Sequence, residues 1–266
     1  MRRALMSISI AVLGCAQTYV PPASERPPQL QNVQIEPRLG ARMPLDTEFR
    51  DEAGRPVRLG DVLRDRPAVL AFVYYGCPRL CSMTLTGLVR ALRAIPLKAG
   101  QQFDVIAISI DPREMPELAA AKKQRFVETY GRGGGDGWHF LVGTKPQILR
   151  ATSAAGFGFE YDAKLDTFAH PAGLIVLTPQ GRIAKYFYGV EFDARDLRLA
   201  MVDASAGRIG TLGDQILLYC FQYDPHTGRY SLAVTRAVRI SAALSVIGLV
   251  AAVFLAVRRE RRRGMT

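Results

Sequence analysis

The sequence predicts an α/β sandwich with a mixed β-sheet, flanked by a secretion signal and a membrane helix. Three observations support this prediction. Apolar runs typical of strands alternate with helical segments through the middle of the chain, which favours a sheet covered by helices. A predicted hairpin and a helix close this region. Both ends carry an apolar segment beside arginines, and 266 residues suffice for one sizeable domain plus these appendages.

The first predicted element is a hairpin around Ala53 and Gly54, and the others follow at short intervals. The run from Ala68 to Tyr75 is rich in β-branched and aromatic residues and is closed by Gly76, as expected of a buried strand. A helix is predicted over 116–130, because a proline stands at its first position and a glycine follows its last. The remaining predicted elements are a helix over about 77–94, strands over 103–110 and 139–142, a helix over 146–155, a hairpin of 173–178 with 182–188, and a helix over 194–204.

Two cysteines, Cys77 and Cys81, stand where the first predicted strand gives way to a helix. Pro78 suits the first helical position, which places Cys77 near the N-cap and Cys81 about one turn later on the same face. Free amides and the helix dipole favour thiolate there, the form that acts as nucleophile and metal ligand. A redox-active disulfide, a soft-metal site and a structural disulfide or buried thiol pair all stay open. The pair makes the fold thioredoxin-like, and its three intervening residues, instead of the usual two, favour a metal role.

His170 is the candidate third ligand, because it directly precedes the predicted strand over 173–178. In a thioredoxin-like fold the segment before that strand packs beside the N-terminus of the first helix. Two thiolates and an imidazole suit copper, since sulfur favours Cu(I) and nitrogen helps to tolerate Cu(II). Zinc would also accept these ligands but usually takes a fourth. From position alone, a lone histidine is more often a surface or satisfied core residue.

The net charge of +11 indicates topology more than nucleic-acid binding. Much of the excess lies at the ends, in Arg2, Arg3 and the arginines of residues 258–263. A basic stripe with interleaved aromatic residues, typical of nucleic-acid binding, is missing from the sequence. Positive charge beside apolar segments instead predicts how the chain is oriented in a membrane.

Residues 1–16 are predicted to be a signal peptide. Val12-Leu13-Gly14-Cys15 is similar to a bacterial lipoprotein cleavage box, which would make Cys15 the lipidated first residue. Ordinary signal cleavage nearby and an uncleaved anchor are the alternatives. A proline-rich linker over 17–38 would then lead to the domain over 39–205.

A C-terminal transmembrane helix is predicted over 239–258, because residues 240–257 carry no charge. At about 1.5 Å per residue this stretch covers roughly 27 Å, enough to cross a bilayer core. The arginine-rich tail over 259–266 predicts a cytoplasmic C-terminus. We therefore expect the domain on the periplasmic or outer face of a bacterial inner (cell) membrane.

Several features have two interpretations. In the membrane-proximal segment over 206–238, Cys220 and His226 could form an accessory metal site or partner contact, but the aromatic residues around them favour a simple membrane-proximal role. Met83 is predicted to lie in the core rather than to bind metal, and Trp138 is predicted to be buried. The glycine-rich residues 131–137 lack the Lys-Ser/Thr of a phosphate loop and predict a flexible surface loop.

Four motifs in order resemble the SCO/SenC copper-binding proteins of the thioredoxin-like superfamily over about residues 39–205. They are Phe72-Val73-Tyr74-Tyr75-Gly76-Cys77-Pro78-Arg79-Leu80-Cys81, Ser109-Ile110-Asp111-Pro112-Arg113-Glu114, Trp138-His139-Phe140-Leu141-Val142-Gly143, and His170 ahead of Gly173-Leu174-Ile175-Val176-Leu177. The resemblance implies that Cys77, Cys81 and His170 bind copper. It also implies delivery of copper to the binuclear centre of cytochrome c oxidase subunit II, or reduction of the cysteines of that centre.

The resemblance also matches Asp111 to an aspartate near the family's site. Asp111 could support the metal ligands or couple to redox change, or it could cap a turn or helix. The sequence departs from the family pattern at Ser82, where many members have proline, and at Met115, which replaces a common polar residue. Both departures concern the surroundings of the site and not its ligands.

Three functions follow from these residues. The favoured one is a membrane-anchored copper chaperone for oxidase assembly, supplied by an upstream copper donor or thiol reductant. The second is a thiol–disulfide reductase that uses Cys77 and Cys81 on the same partner or on others. The third is a redox or copper sensor that signals through the membrane helix. Replacing His170 separates the first two, because a dithiol reductase does not need an imidazole ligand.

Overall fold

The computed structural model describes residues 32–76 and 80–210, with three short pieces at 223–224, 229–230 and 245–246. Of residues 80–82, 223–224 and 229–230 it describes the backbone only. The strands are β1 (Glu48–Arg50), β2 (Pro56–Arg58), β3 (Ala68–Val73), β4 (Asp104–Ser109), β5 (Trp138–Leu141), β6 (Glu160–Asp162), β7 (Thr167–Ala169), β8 (Gly173–Leu177), β9 (Ile183–Tyr188), β10 (Tyr223–Asp224) and β11 (Arg229–Tyr230). The helices are α1 (Leu80–Arg93), α2 (Pro116–Tyr130), α3 (Lys145–Ala154) and α4 (Ala194–Ser205).

The main sheet has five strands in the order β5-β4-β3-β8-β9. Strand β3 lies at its centre, parallel to β4 and antiparallel to β8, with Leu70 opposite both Ile106 and Ile175. All six residues of β3 are buried, because both faces of the sheet are covered. A strand that is covered on both faces has a continuous run of apolar residues, which is why β3 could be predicted from the sequence.

Helices cover the sheet on both faces. Alternate β3 residues Val69, Ala71 and Val73 join one core with α1, α2 and α4, whereas Leu70 and Phe72 join the second core. That second core contains α3 and the N-terminal hairpin of β1 and β2. The mixed α/β, thioredoxin-like sandwich and its N-terminal hairpin around Ala53 and Gly54 are thus confirmed, and the predicted helices and strands agree with the observed ones to within a few residues.

The prediction that Met83 lies in the core is wrong. Its side chain is 51% exposed, because α1 buries Leu85, Leu88, Val89 and Leu92 on one face. Met83 instead lines the opposite face with Thr86, Arg90 and Arg93, at spacings of three, seven and ten residues. Trp138 is fully buried, as predicted.

The glycine-rich segment is a surface loop, as predicted, but its end is tightly packed rather than loose. Residues Gly135–Gly137 form a 3₁₀ turn, and Gly137 is buried. A Cβ added to Gly137 would lie 2.0 Å from the backbone nitrogen of Gly100, and one added to Gly134 would lie 2.2 Å from the carbonyl oxygen of Ala99. The glycines are therefore required for close backbone contact.

The structure adds a second hairpin that the sequence did not predict, formed by β6 and β7. Its strands pair antiparallel, with Tyr161 opposite Phe168, and form a two-stranded sheet separate from the main one. His170 follows β7 directly. This hairpin therefore carries the predicted histidine ligand towards β8.

The predicted appendages fall outside the described residues. These are the signal peptide with Cys15, most of the linker, most of the segment over 206–238, including Cys220 and His226, and all but two residues of the predicted membrane helix. Within the part of the chain that the structure describes, no helix is both long and apolar enough to cross a bilayer.

Candidate metal centre

The chain approaches the cysteine pair through a rigidly held strand end. Beyond Val73 it passes through Tyr74, Tyr75 and Gly76. Tyr75 is buried, and its hydroxyl lies 2.9 Å from the carbonyl oxygen of Ala107 and 3.1 Å from that of Leu141. Because both oxygens belong to neighbouring strands, the side chain fixes the exit of β3 across the sheet.

The two cysteines are described only in part. Helix α1 begins at Leu80, so the backbone of Cys81 lies in its first turn. Cys77, Pro78 and Arg79 lie outside the described residues, as does the side chain of Cys81. The convergence of the two thiols on one site therefore stays a prediction.

His170 lies at the same end of the sheet as the exit of β3. Because β8 runs antiparallel to β3, the segment that precedes β8 adjoins the segment that leaves β3. The ring of Phe168 meets the ring of Tyr74 edge-on at 5.8 Å, three residues before Cys77. The imidazole of His170 lies 6.2 Å from the ring of Phe157, which packs at 5.0 Å on Phe72 of β3.

The imidazole of His170 is in a form suited to metal binding. Its Nδ1 lies 2.9 Å from the carbonyl oxygen of Pro171, and a carbonyl only accepts, so Nδ1 carries the proton in this contact. That tautomer places the lone pair on Nε2. Burial lowers the pKa of His170 below its ordinary value, whereas the hydrogen bond to Pro171 acts in the opposite direction. The neutral form, which binds metals, is therefore favoured.

His139, by contrast, lies in β5, at the edge of the sheet two strands from β3. It is 8% exposed, and its Nε2 has no hydrogen-bond partner among the described residues. Burial lowers the pKa of His139 to about 4. His139 is thus a core histidine, separate from the exit of β3.

Glu114 is a buried carboxylate that binds the backbone where the chain leaves β3. Its Oε2 accepts hydrogen bonds from the backbone N–H of Tyr75 at 3.0 Å and from the hydroxyl of Ser109 at 2.5 Å. Its Oε1 accepts one from the backbone N–H of Gly76 at 2.5 Å. Burial raises the pKa of Glu114, although the three donors act to lower it. Glu114 therefore fixes the backbone N–H groups of the two residues that immediately precede Cys77.

Asp111, predicted to support the site or cap a turn, does form a turn. Its Oδ1 accepts the backbone N–H of Arg113 at 2.9 Å, and its own N–H donates to the hydroxyl of Ser109 at 3.1 Å. It is 3% exposed and forms an ion pair with the guanidinium of Arg113 at 2.8 Å. Arg113 in turn reaches Asp166 in the β6–β7 hairpin at 2.6 Å. Asp111 thus connects indirectly to the element that carries His170.

Sequence reasoning singled out neither Glu114 nor Arg113. Both stand in the Ser109-to-Glu114 motif quoted above, but their contacts join segments more than 30 residues away. A hydrophobic or helical period carries no information about such contacts. Among the described residues, no three histidine, cysteine, aspartate or glutamate side chains form a metal-binding group, and Cys77 and the Cys81 side chain lie outside that search.

Comparison with known proteins decides the family. The SCO1/SenC family model matches residues 39–202. The chain belongs to the SCO1/SenC family. The matched region contains Cys77, Cys81, Asp111 and His170, so every residue proposed above for the metal site lies inside the SCO1/SenC domain.

The chain is also similar to individual proteins of known sequence and structure. A "Putative copper-binding protein" of Stutzerimonas stutzeri is 26% identical over 181 residues, which covers 66% of this chain and 83% of that protein. A "putative electron transfer protein" of Aquifex aeolicus VF5 has a crystal structure 26% identical in sequence, with a TM-score of 0.55 over 64% of this chain and 96% of that one. ScoI of Arabidopsis thaliana, crystallised with copper bound, shares the fold at 18% identity, with a TM-score of 0.51 and coverage of 64% and 99%.

Proposed function

We propose that this SCO1/SenC protein is a membrane-anchored copper chaperone. It binds copper through Cys77, Cys81 and His170 and supports assembly of the binuclear copper centre of cytochrome c oxidase. The observation that carries the proposal is the position of His170. The β6–β7 hairpin packs Phe168 on Tyr74 and leads directly to His170, which supports a site shared by this imidazole and the cysteines that follow Gly76.

The donor set fits copper as cargo. Thiolates at the start of α1 would hold Cu(I), and the His170 imidazole, with its lone pair on Nε2, would extend the site to Cu(II). Relatives support this choice of metal, since the Stutzerimonas stutzeri protein is named for copper binding and the Arabidopsis thaliana ScoI structure contains copper. Asp111 would support the site from outside, through Arg113 and the hairpin.

The proposed partner is cytochrome c oxidase subunit II or another copper-site protein outside the cytoplasm. The signal over 1–16 and the membrane helix over 239–258 would hold the domain on the periplasmic or outer face of the bacterial inner membrane, with the C-terminus in the cytoplasm. Copper would pass by ligand exchange, because the partner's cysteines offer donors of the same softness.

A thiol–disulfide reductase is the second candidate. The first turn of α1 contains Cys81, and a helix N-terminus stabilises the thiolate that attacks disulfides. In this reaction Cys77 and Cys81 would close to a disulfide and give two electrons and two protons to a partner disulfide. A separate thiol donor would then reduce the pair again.

One experiment on the full-length chain, in a mild detergent, separates the two functions. The copper-loaded chain is mixed with the soluble copper domain of an oxidase subunit II that has reduced cysteines, and copper on each protein is counted after separation. In parallel, the reduced, copper-free chain is mixed with the same domain in its disulfide form, and new thiols are counted. The chaperone proposal predicts that His170→Ala abolishes copper transfer, whereas Cys81→Ser abolishes both reactions.

The opposite result would remove the chaperone proposal. If the wild type transfers no copper but reduces the disulfide rapidly, the reductase replaces the chaperone. If His170→Ala transfers copper as well as the wild type, His170 is not a ligand and the proposed copper site is wrong. The variants must show the wild-type unfolding midpoint, followed by the fluorescence of Trp138, the single tryptophan in the sequence.

A further inference from the structure

One short segment after β4 holds both elements that are expected to carry copper ligands. Glu114 binds the Tyr75 and Gly76 peptides that lead into Cys77. Arg113, its neighbour, binds the β6–β7 hairpin that leads into His170. Adjacent residues thus fix the two sides of the proposed site.

Arg113 is anchored firmly on the β4 side. Its Nε lies 2.9 and 3.1 Å from the two carboxylate oxygens of Asp111, and its Nη2 lies 2.8 Å from Oδ2. The side chain of Asp111 is buried and is held at the end of β4 by its turn with Ser109. A planar guanidinium fork that matches a buried carboxylate has a defined orientation, which a single ammonium group would not have.

On the other side Arg113 reaches three residues of the hairpin. Its Nη1 donates to Oδ1 of Asp166 at 2.6 Å, and the hydroxyl of Tyr161 donates to the same oxygen at 2.7 Å. The guanidinium carbon also lies 5.3 Å from the ring centre of Tyr161 and 5.8 Å from that of Phe168. Arg113 thus combines an ion pair with two cation–π contacts on one small element.

Besides Arg113, the ring of Phe168 on Tyr74 and a hydrogen bond from Asn32 to Glu160 at 2.7 Å hold the hairpin. It consists of two three-residue strands outside the main sheet, and an isolated two-stranded hairpin is marginal in water. None of its six strand residues is buried.

We propose that Arg113 is a positioning residue for the copper site: by bridging Asp111 and Asp166 it fixes the β6–β7 hairpin, and thereby His170, against the exit of β3. This inference rests on the proposed function for the role of His170 as a ligand. The bridge itself is a property of the chain without copper. Since the Arg113 side chain is 49% exposed, its loss disturbs the hairpin far more than the global fold.

The first test needs no copper. Amide hydrogen exchange over residues 160–169 is measured in the full-length chain for the wild type, Arg113→Ala, Arg113→Lys and Asp166→Asn. The proposal predicts loss of protection in this segment for all three variants, because a lysine ammonium cannot bridge both carboxylates. Arg150→Ala is the matched control, since Arg150 is similarly exposed and pairs with Asp46 away from the site.

The second test is a double-mutant cycle on copper binding. Arg113→Ala should weaken Cu(II) binding about tenfold, as expected for a residue that orients a ligand. In the His170→Ala background the same substitution should have no further effect, because Arg113 acts through His170. Arg150→Ala should leave the affinity unchanged in both backgrounds.

Failure of this inference and failure of the proposed function give different results. Unchanged hairpin exchange in Arg113→Ala, full rescue by lysine, or an equal loss of affinity with and without His170 would overturn the role of Arg113 while copper binding stands. Absence of copper binding by the wild type would instead overturn the proposed function, and with it the link from Arg113 to copper.

Discussion

Replacing Glu114 with glutamine tests how firmly the chain is held just before Cys77. The carboxylate accepts three hydrogen bonds, from the N–H groups of Tyr75 and Gly76 and from the hydroxyl of Ser109. A glutamine amide of the same shape keeps one accepting oxygen and turns the other position into a donor. At least one backbone N–H then faces an NH₂ group and loses its acceptor.

The expected loss of stability can be worked from these contacts. A hydrogen bond to a charged group contributes about 1.5–3 kcal/mol, and an unsatisfied buried donor is costly on its own. Against this, glutamine removes the cost of burying a charge, which is what raises the pKa of Glu114. We therefore expect the free energy of unfolding to fall by about 1–2 kcal/mol.

The loss should also depend on pH, with a defined sign. Because the pKa of Glu114 is raised in the folded state, the unfolded chain loses this proton first as pH rises. The contribution of Glu114 to the free energy of unfolding is then fully present below the ordinary glutamate pKa, and it is lost as pH rises through the pKa of the folded state. The difference in the free energy of unfolding between wild type and Glu114→Gln should accordingly be largest at about pH 4 and smaller at about pH 8.

Urea denaturation followed by the fluorescence of Trp138 measures the gap, and Glu117→Gln is the control. Glu117 lies in the first turn of α2 and is exposed, so the same change there should cost only a few tenths of a kcal/mol, about what a helix-end charge contributes. A Glu114→Gln variant as stable as the control, or a gap that widens with rising pH, would refute the role assigned to the carboxylate.

Three further predictions use the same denaturation assay. Gly87→Ala should destabilise the domain by about 1–2 kcal/mol despite the better helix propensity of alanine, because its Cβ would lie 1.9 Å from the carbonyl oxygen of Val190; a raised midpoint would contradict this close contact. Tyr75→Phe should lower the free energy of unfolding by about 1–2 kcal/mol, because it removes a buried hydroxyl donor. A loss no larger than that caused by the same change at an exposed tyrosine would contradict a stabilising role for this hydrogen bond. The pKa of His139 is about 4 in the folded chain against an ordinary 6.5. The free energy of unfolding should therefore fall by roughly 3 kcal/mol as pH is lowered from 6.5 to 4, since only the unfolded chain takes up the proton in this range. If the stability of His139→Gln depended on pH as strongly as that of the wild type, His139 would not be the group responsible.

Much of the fold could be predicted because its signals are local. The run over Ala68–Val73 is apolar throughout, and Pro116 and Gly131 bracket α2, which ends where the glycine takes a left-handed conformation. Such patterns depend on neighbours in sequence, so the chain alone displays them. The order of motifs then led to the SCO/SenC resemblance, which the family match confirms.

What the sequence could not predict depends on contacts between distant segments. Strands β6 and β7 are three residues long and partly exposed, too short for a periodic signal. The prediction for Met83 is wrong because membership of a helix does not say which face of the helix is buried. Glu114 and Arg113 look like ordinary charged residues until the fold places their partners beside them.

Copper titration of the full-length chain tests the central claim most directly. The reduced wild type and His170→Ala are titrated with Cu(I) in competition with a chromophoric chelator, and with Cu(II) by the sulfur-to-copper charge-transfer absorption. His139→Gln is the control for a histidine elsewhere in the sheet. The account predicts tight one-to-one binding that is much weaker in His170→Ala, where only the two thiolates are left as ligands, and unchanged in His139→Gln. Weak binding indifferent to His170, with rapid disulfide cycling by Cys77 and Cys81, would contradict it.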